Sequence, residues 1–298
     1  MNIPRIGVSL PHFGPHAGPD GVVTVARAAE RLGFHAVSVS ERLLMPAQPG
    51  WHNGADLPRS HVWDPIETLT WAAAHTERIR VSTGIVNAIY QPPILLARRL
   101  ATLDRLSRGR LDAGVGQGGG GTPETAYGIA EEFEAAGVPM SRRGAGFEEH
   151  IAAMRACWGP DPVEFRGEHY RIPLSAVGPK PWGATIPLFV GALVPRSIER
   201  AARVGDGFIT VALPSGWDDA RRAVERYRGF GGKGTVVVNT VQDHPAGPIS
   251  EESFLDLVLG DLERAAAAGA DETHLSLNLA SVHPDRQAEL LEALAARL

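Results

Sequence analysis

Roughly eight apolar, β-rich runs alternate with helix-patterned segments along the chain, and this alternation predicts an α/β fold closed as a parallel (β/α)8 TIM barrel. Three observations carry the prediction. The alternation contains no interdomain linker and no sequence repeat. Eight βα units is the number that closes a barrel, and such barrels commonly run to about 250 residues as one domain. The 298 residues therefore fit a single domain over 1–298. An open doubly wound sheet is the alternative the same pattern allows. One stretch breaks the rhythm. Residues 159–187, rich in Pro and Gly, read as a small insertion after the fourth βα unit.

Each element has its own local signal. Ile6–Leu10 (IGVSL) is the first strand. Gly21–Leu32 is the first helix, because Val22, Val25, Ala26, Ala29 and Leu32 share one face, and Gly33 stops it at the C′ position. Ala36–Glu41 is the second strand. Arg42–Trp63, rich in Pro, Gly, His and Trp, is too long for a plain connection and reads as a functional loop or lid. Asp64-Pro65-Ile66-Glu67 opens the next helix, which reaches about His75. Asp is the N-cap, Pro stands at N1, and Glu closes a capping-box-like pair. Ile79–Val86 is a strand, Pro93–Leu106 a helix and Arg110–Gly116 a strand. Helices follow at about Glu131–Ala136 and at Arg143–Trp158. Within the insertion, VEFRG and EHYRI suggest a hairpin. The remaining strands are Leu188–Ala192, Gly207–Ala212, Thr235–Val241 and Thr273–Leu279. The remaining helices are Arg196–Val204, Trp217–Phe230, a Ser250-capped segment to Ala268, and Pro284–Leu298.

Composition excludes several classes. A net charge of −5 gives no general attraction to nucleic acid or to an anionic membrane. The apolar start, MNIPRIGVSL, is too short for a signal peptide or a span, so a cytoplasmic location is expected. The single cysteine, Cys157, excludes an internal disulfide and a Cys-based metal cluster. Beside Trp158 on a helical pattern it reads as core. Only Lys180 and Lys233 among the 29 basic residues are lysines, which together with heavy Ala and Gly use points to a high-GC genome such as an actinobacterial one. A metal-dependent hydrolase would need His-x-His after an early strand, or Asp and His clustered at strand ends. The sequence offers neither, and no metal is expected.

The run GRLDAGVGQGGGGTP, Gly109–Pro123, holds six glycines between Gly114 and Gly121. It matches the dinucleotide pattern G-x-G-x-x-G twice. That motif needs an immediate helix and then a strand ending in an acid about 20 residues on. Thr122-Pro123 and a weakly apolar stretch follow instead. The run therefore reads as a loop at the C-terminal face of a barrel strand, where backbone N–H groups approach a ligand or form an anion nest. A turn whose glycines only relieve sterics is the plainer alternative.

Four segments, ARAAERLGFHAVSVSERLLMP, TERIRVSTGIVNAIYQPPILLARRLATLDRLSRGRLDAGVGQGG, RRGAGFEEHIAAMRACW and RAARVGDGFITV, lie in one order over most of the first 211 residues. Together they resemble the bacterial-luciferase-like superfamily of flavin and deazaflavin oxidoreductases. The resemblance implies a (β/α)8 barrel, usually a homodimer, with the cofactor ring over the barrel mouth. It implies coenzyme F420 and hydride exchange with a small organic substrate, with an FMN-dependent monooxygenase as the alternative. It also implies a bulge in the third strand, often with a non-prolyl cis peptide, at Gly84-Ile85, and Asn87 at the ring edge. Gln117, Gly118 and Gly119 would pass along the cofactor arm. Gly191, Ala192 and Ser197 would lie near its phosphate, although GALVPRS departs from the family's usual Gly-Gly-x-Ser segment.

The largest departure is at the end of the second strand. Relatives end it in Asp-His or Glu-His-His, whereas here it reads Ser40-Glu41-Arg42. Glu41 can take the carboxylate position. Arg42 stays charged at any working pH and cannot transfer a proton, but it can pair with an anionic ring or a substrate carboxylate. His12 is the best-placed substitute for the missing histidine, ahead of His52 and His61. Trp51, Trp63 and Tyr90 are candidates for the substrate-pocket wall. A homologue that binds the cofactor without turnover is the reading the missing histidine motivates.

Overall fold

A computed structural model describes residues 3–47, 62–119, 130–213, 216–241, 249–278 and 282–298. Its strands are β1 (Arg5–Ser9), β2 (Ala36–Val39), β3 (Arg80–Asn87), β4 (Leu111–Gly116), β5 (Val163–Arg166), β6 (Arg171–Ser175), β7 (Leu188–Gly191), β8 (Gly207–Ala212), β9 (Thr235–Thr240) and β10 (Glu272–Leu275). Eight of them close a barrel in the order β1-β10-β9-β8-β7-β4-β3-β2. Every neighbouring pair of barrel strands is parallel. The open doubly wound alternative is thereby excluded.

The helices between strands are α1 (Pro19–Arg31), α2 (Pro65–Ala74), α3 (Pro93–Leu106), α4 (Ala130–Ala135), α5 (Ala145–Trp158), α6 (Pro195–Val204), α7 (Trp217–Gly229), α8 (Glu251–Ala267) and α9 (Pro284–Ala295). Their ends follow local chemistry. Gly33 ends α1 with φ of 81°, a conformation L side chains rarely adopt. Asp64 caps α2 by accepting from the Ile66 N–H at 2.9 Å. Glu67 does not close the expected reciprocal cap: its carboxylate takes the Arg99 guanidinium at 2.7 Å instead. Ser250 caps α8 by accepting from the Ser253 N–H at 3.1 Å.

The expected hairpin is present as the antiparallel pair β5 and β6. It is tied to the barrel through Glu149 of α5, whose carboxylate accepts from the Glu168, His169 and Tyr170 N–H groups. Two strands are shorter than expected by two residues or more. β2 stops at Val39, and β10 stops at Leu275, after which the Asn278 amide reaches the Leu10 carbonyl at 2.6 Å.

Val8, Val37, Val39, Val81, Val236 and Val238 have no exposed surface, as parallel strands covered on both faces require. β3 and β4 approach especially closely at Gly114. A Cβ there would overlap the Thr83 carbonyl oxygen, a backbone atom that cannot swing aside. Gly114→Ala is expected to cost roughly 3 kcal/mol by overpacking. Urea unfolding checks this, and an unchanged midpoint would contradict it.

Candidate active site

The C-terminal rim of the barrel is irregular at one strand. β3 pairs with β4 in register from Val81 to Thr83, then shifts so that Val86 meets Val115. Gly84 and Ile85 are the residues left over, and the peptide between them is cis. Both carbonyls of this bulge are satisfied from elsewhere. The Ile85 oxygen accepts from the Glu41 N–H at 3.1 Å. The Gly84 oxygen accepts from the Asn239 side-chain amide at 3.2 Å.

Glu41 follows β2 and returns the contact. Its Oε2 accepts from the Asn87 N–H at 2.6 Å, so the carboxylate sits where β3 ends. Burial pushes its pKa up to about 7; the Asn87 N–H opposes this, and the negative charges of Asp64 and Glu132 add to it. A carboxyl group that exchanges its proton near neutrality suits acid–base work.

A second carboxylate lies beside it. Glu132 of α4 is 2% exposed and gathers the strap after β2. It accepts from the Leu43 N–H at 2.7 Å and from the Tyr90 hydroxyl at 3.1 Å. The Arg42 guanidinium stands 3.6 Å from it. Tyr90 has its pKa raised by burial and then by this carboxylate, so it remains a phenol that donates. Glu132 escaped the sequence reading because nothing in AEEFEAAG separates it from Glu131 or Glu134.

His12 is placed differently from expectation. It has no exposed surface. Its Nδ1 donates to the Leu10 carbonyl at 2.6 Å, and its Nε2 accepts from the Ser40 hydroxyl at 2.9 Å. Burial lowers its pKa to about 4, against the partial support of the Leu10 carbonyl. The ring is engaged at both nitrogens and braces Ser40, the residue before Glu41.

The glycine run divides in two. Gly114 and Gly116 belong to β4, and Gln117, Gly118 and Gly119 leave it. Gly118 has φ of 75°. The Gln117 side-chain oxygen accepts from Arg200 Nη1 and from the Gly144 N–H, each at 3.1 Å. Arg143 donates to the Gly119 carbonyl at 3.1 Å and lies over the Phe133 ring. Two guanidinium groups thus flank the described part of this loop, and Arg200 is also paired with Glu148 at 2.9 Å. The continuation from Gly120 lies outside the described residues.

Two expected donors at β7 are committed elsewhere. The Ala192 N–H bonds the Ile209 carbonyl at 3.0 Å. The Ser197 hydroxyl donates to the Val194 carbonyl at 2.8 Å, inside the first turn of α6. Gly191 ends β7 and pairs with Ile209. Trp63 lines a groove between α1 and α2 with Pro19, Val22 and Trp71, on the outer side of the barrel. Trp51, His52 and His61 lie outside the described residues.

A family model described as luciferase-like monooxygenase matches residues 5–236. An uncharacterized protein of Mycobacterium tuberculosis is 35% identical over 193 residues, which is 62% of this chain and 65% of that protein. The F420-dependent glucose-6-phosphate dehydrogenase of Rhodococcus erythropolis is 32% identical over 193 residues, 64% of this chain and 53% of that enzyme. These matches therefore span between about half and about two thirds of the relatives' length. Among solved structures, the coenzyme F420-dependent tetrahydromethanopterin reductase of Methanopyrus kandleri superposes with a TM-score of 0.72 at 16% identity, covering 99% of this chain and 98% of that one. An F420-dependent secondary alcohol dehydrogenase, in complex with an F420–acetone adduct, superposes with a TM-score of 0.68 at 18% identity, covering 99% of both chains. At such identities the likeness is one of fold.

Proposed function

Because the chain belongs to the luciferase-like monooxygenase family, we propose that it is an oxidoreductase exchanging a hydride between coenzyme F420 and a small organic substrate. The observation that carries this reading is the half-buried Glu41 carboxylate, with a pKa of about 7, hydrogen-bonded to the end of the β3 bulge. The residues present fit the cofactor. Arg143 and Arg200, bonded to the Gln117–Gly119 loop, are the donors an anionic arm needs. Gly84, Ile85 and Asn87 would hold the ring, and Gln117, Gly118, Gly119 and Gly191 the arm.

When bound, the deazaflavin supplies the hydride acceptor or donor, which no side chain can provide. Glu41 handles the proton. With Oε2 held by the Asn87 N–H, Oε1 takes a proton from a substrate hydroxyl in the oxidising direction and returns it in the other. Arg42, fixed beside Glu132, would pair with an anionic group of the substrate. His12 positions Ser40 and hence the start of the strap. Tyr90, tied to Glu132, would wall the pocket. The protein would work in the cytoplasm, as a homodimer.

Titration of the purified protein with F420 and with FMN, followed by absorbance and fluorescence, tests the cofactor. F420 is expected to bind, with quenched or shifted emission. Tight FMN binding with no F420 binding would overturn the proposal. F420 binding without hydride transfer across a broad alcohol and ketone panel would identify a homologue that does not turn over.

A further inference from the structure

Asn239 is read from the sequence only as part of a strand, yet it touches the bulge. It stands on β9, four strands from β3 in either direction round the barrel, so its amide crosses the interior to reach the Gly84 carbonyl at 3.2 Å. That carbonyl can only accept, so the NH2 group must face it, and Oδ1 must face away. Asn239 Oδ1 is buried and has no hydrogen-bond partner among the described residues.

The register partner of Asn239 on β10 is His274. Partners on parallel strands point to the same face, so His274 also faces the interior. It is 3% exposed. Its Nε2 bonds Glu272 Oε1 at 2.6 Å, and Glu272 is further held by Arg5 and His35. The Cδ2 edge of the ring lies on Gly7 of β1, where a Cβ would overlap it. The opposite edge, bearing Nδ1, therefore faces away from β1. Nδ1 too is buried and unpartnered among the described residues. With Nε2 engaged by the carboxylate, Nδ1 and Asn239 Oδ1 are both left without a partner among the described residues, and one water can bridge them.

We propose that Asn239 is a positioning residue for the Gly84–Ile85 bulge, held in orientation by one buried water that bridges Asn239 Oδ1 and His274 Nδ1. The chain Glu272–His274–water–Asn239 then runs up the inside of the barrel to the Gly84 carbonyl. It places Ile85, whose own carbonyl takes the Glu41 N–H. The cofactor readout below rests on the proposed function; the other readouts do not.

Asn239→Leu keeps the side chain's size and removes donor and acceptor. In the ligand-free chain, its Ile85 methyl resonances are expected to move, and F420 affinity to fall about tenfold relative to the parent. A merely structural role would lower the melting temperature and leave both unchanged. Unmoved Ile85 signals, with affinity within about twofold, would overturn the proposal. A parent protein that binds no F420 sinks the proposed function alone, because the Ile85 signals still decide the positioning. A high-resolution crystal structure of the parent gives a second test that needs no variant. Density for a water within about 3 Å of both atoms supports the proposal, and a dry gap overturns it.

Discussion

Glu41→Gln is expected to lower turnover by about a hundredfold to ten-thousandfold, the usual worth of a positioned acid–base group, while cofactor affinity stays nearly unchanged. Gln keeps an oxygen for the Asn87 N–H, so the bulge contact survives. What it loses is the proton site. The parent's rate should therefore depend on pH around 7. In the oxidising direction Glu41 must be ionised, and the rate rises as pH passes through that value. In the reducing direction the protonated form is needed, and the rate falls. The variant's residual rate should be flat there. A variant with parental turnover and the same pH profile would remove Glu41 from the chemistry.

The same group makes a stability prediction of opposite sense. Its folded pKa, about 7, lies above its ordinary value of 4.5. Its contribution to stability is fully present below pH 4.5 and is lost as pH rises through about 7, because burial disfavours the ionised form. A tenfold change in proton affinity is worth about 1.4 kcal/mol, so the parent gives up roughly 3 kcal/mol that Glu41→Gln does not. The variant should thus be the more stable protein at pH 8 to 9 by about that amount, and the two should converge at low pH. Loss of activity combined with gain of stability is the signature of a group retained for function.

Glu132→Ala is expected to be the most destabilising change at the rim, costing about 3 to 5 kcal/mol. The carboxylate is 2% exposed. Removing it takes the acceptor from the Leu43 N–H and the Tyr90 hydroxyl, and the carboxylate from beside Arg42. Glu132→Gln keeps an acceptor oxygen and loses only the charge, so it should cost markedly less. Urea unfolding of the two variants measures the difference. Equal midpoints would mean that the strap after β2 does not depend on this side chain.

Much of the fold is legible along the chain because its causes are local. The β-rich runs and the helix faces repeat with the right periods, and Asp64, Ser250 and Gly33 mark helix ends through bonds or φ angles within a few residues. Where side chains took partners other than the expected ones, the cause is tertiary. His12 had the right address for a proton carrier, but closing the barrel buried it against Leu10 and Ser40 and kept it neutral. Ser197 and Ala192 stood at the expected helix start and strand end, yet their donors went to Val194 and Ile209. Glu67 had a cap's spacing and found Arg99, brought alongside by α3, a better partner than its own N-cap.

What the sequence alone determined was the order and kind of elements, the place of the insertion and, through resemblance, the strand ends where Glu41 and the Gly84-Ile85 bulge would lie. What only the tertiary structure decided was which distant groups complete those ends. Glu132 is 89 residues from Leu43, and Asn239 is 155 from Gly84. Neither pairing has a local signature, because each exists only once the parallel strands have closed and excluded water. That closure also sets the charge states. The same desolvation that raises Glu41 to about 7 lowers His12 to about 4, which is why the proposed function gives the proton to the carboxylate.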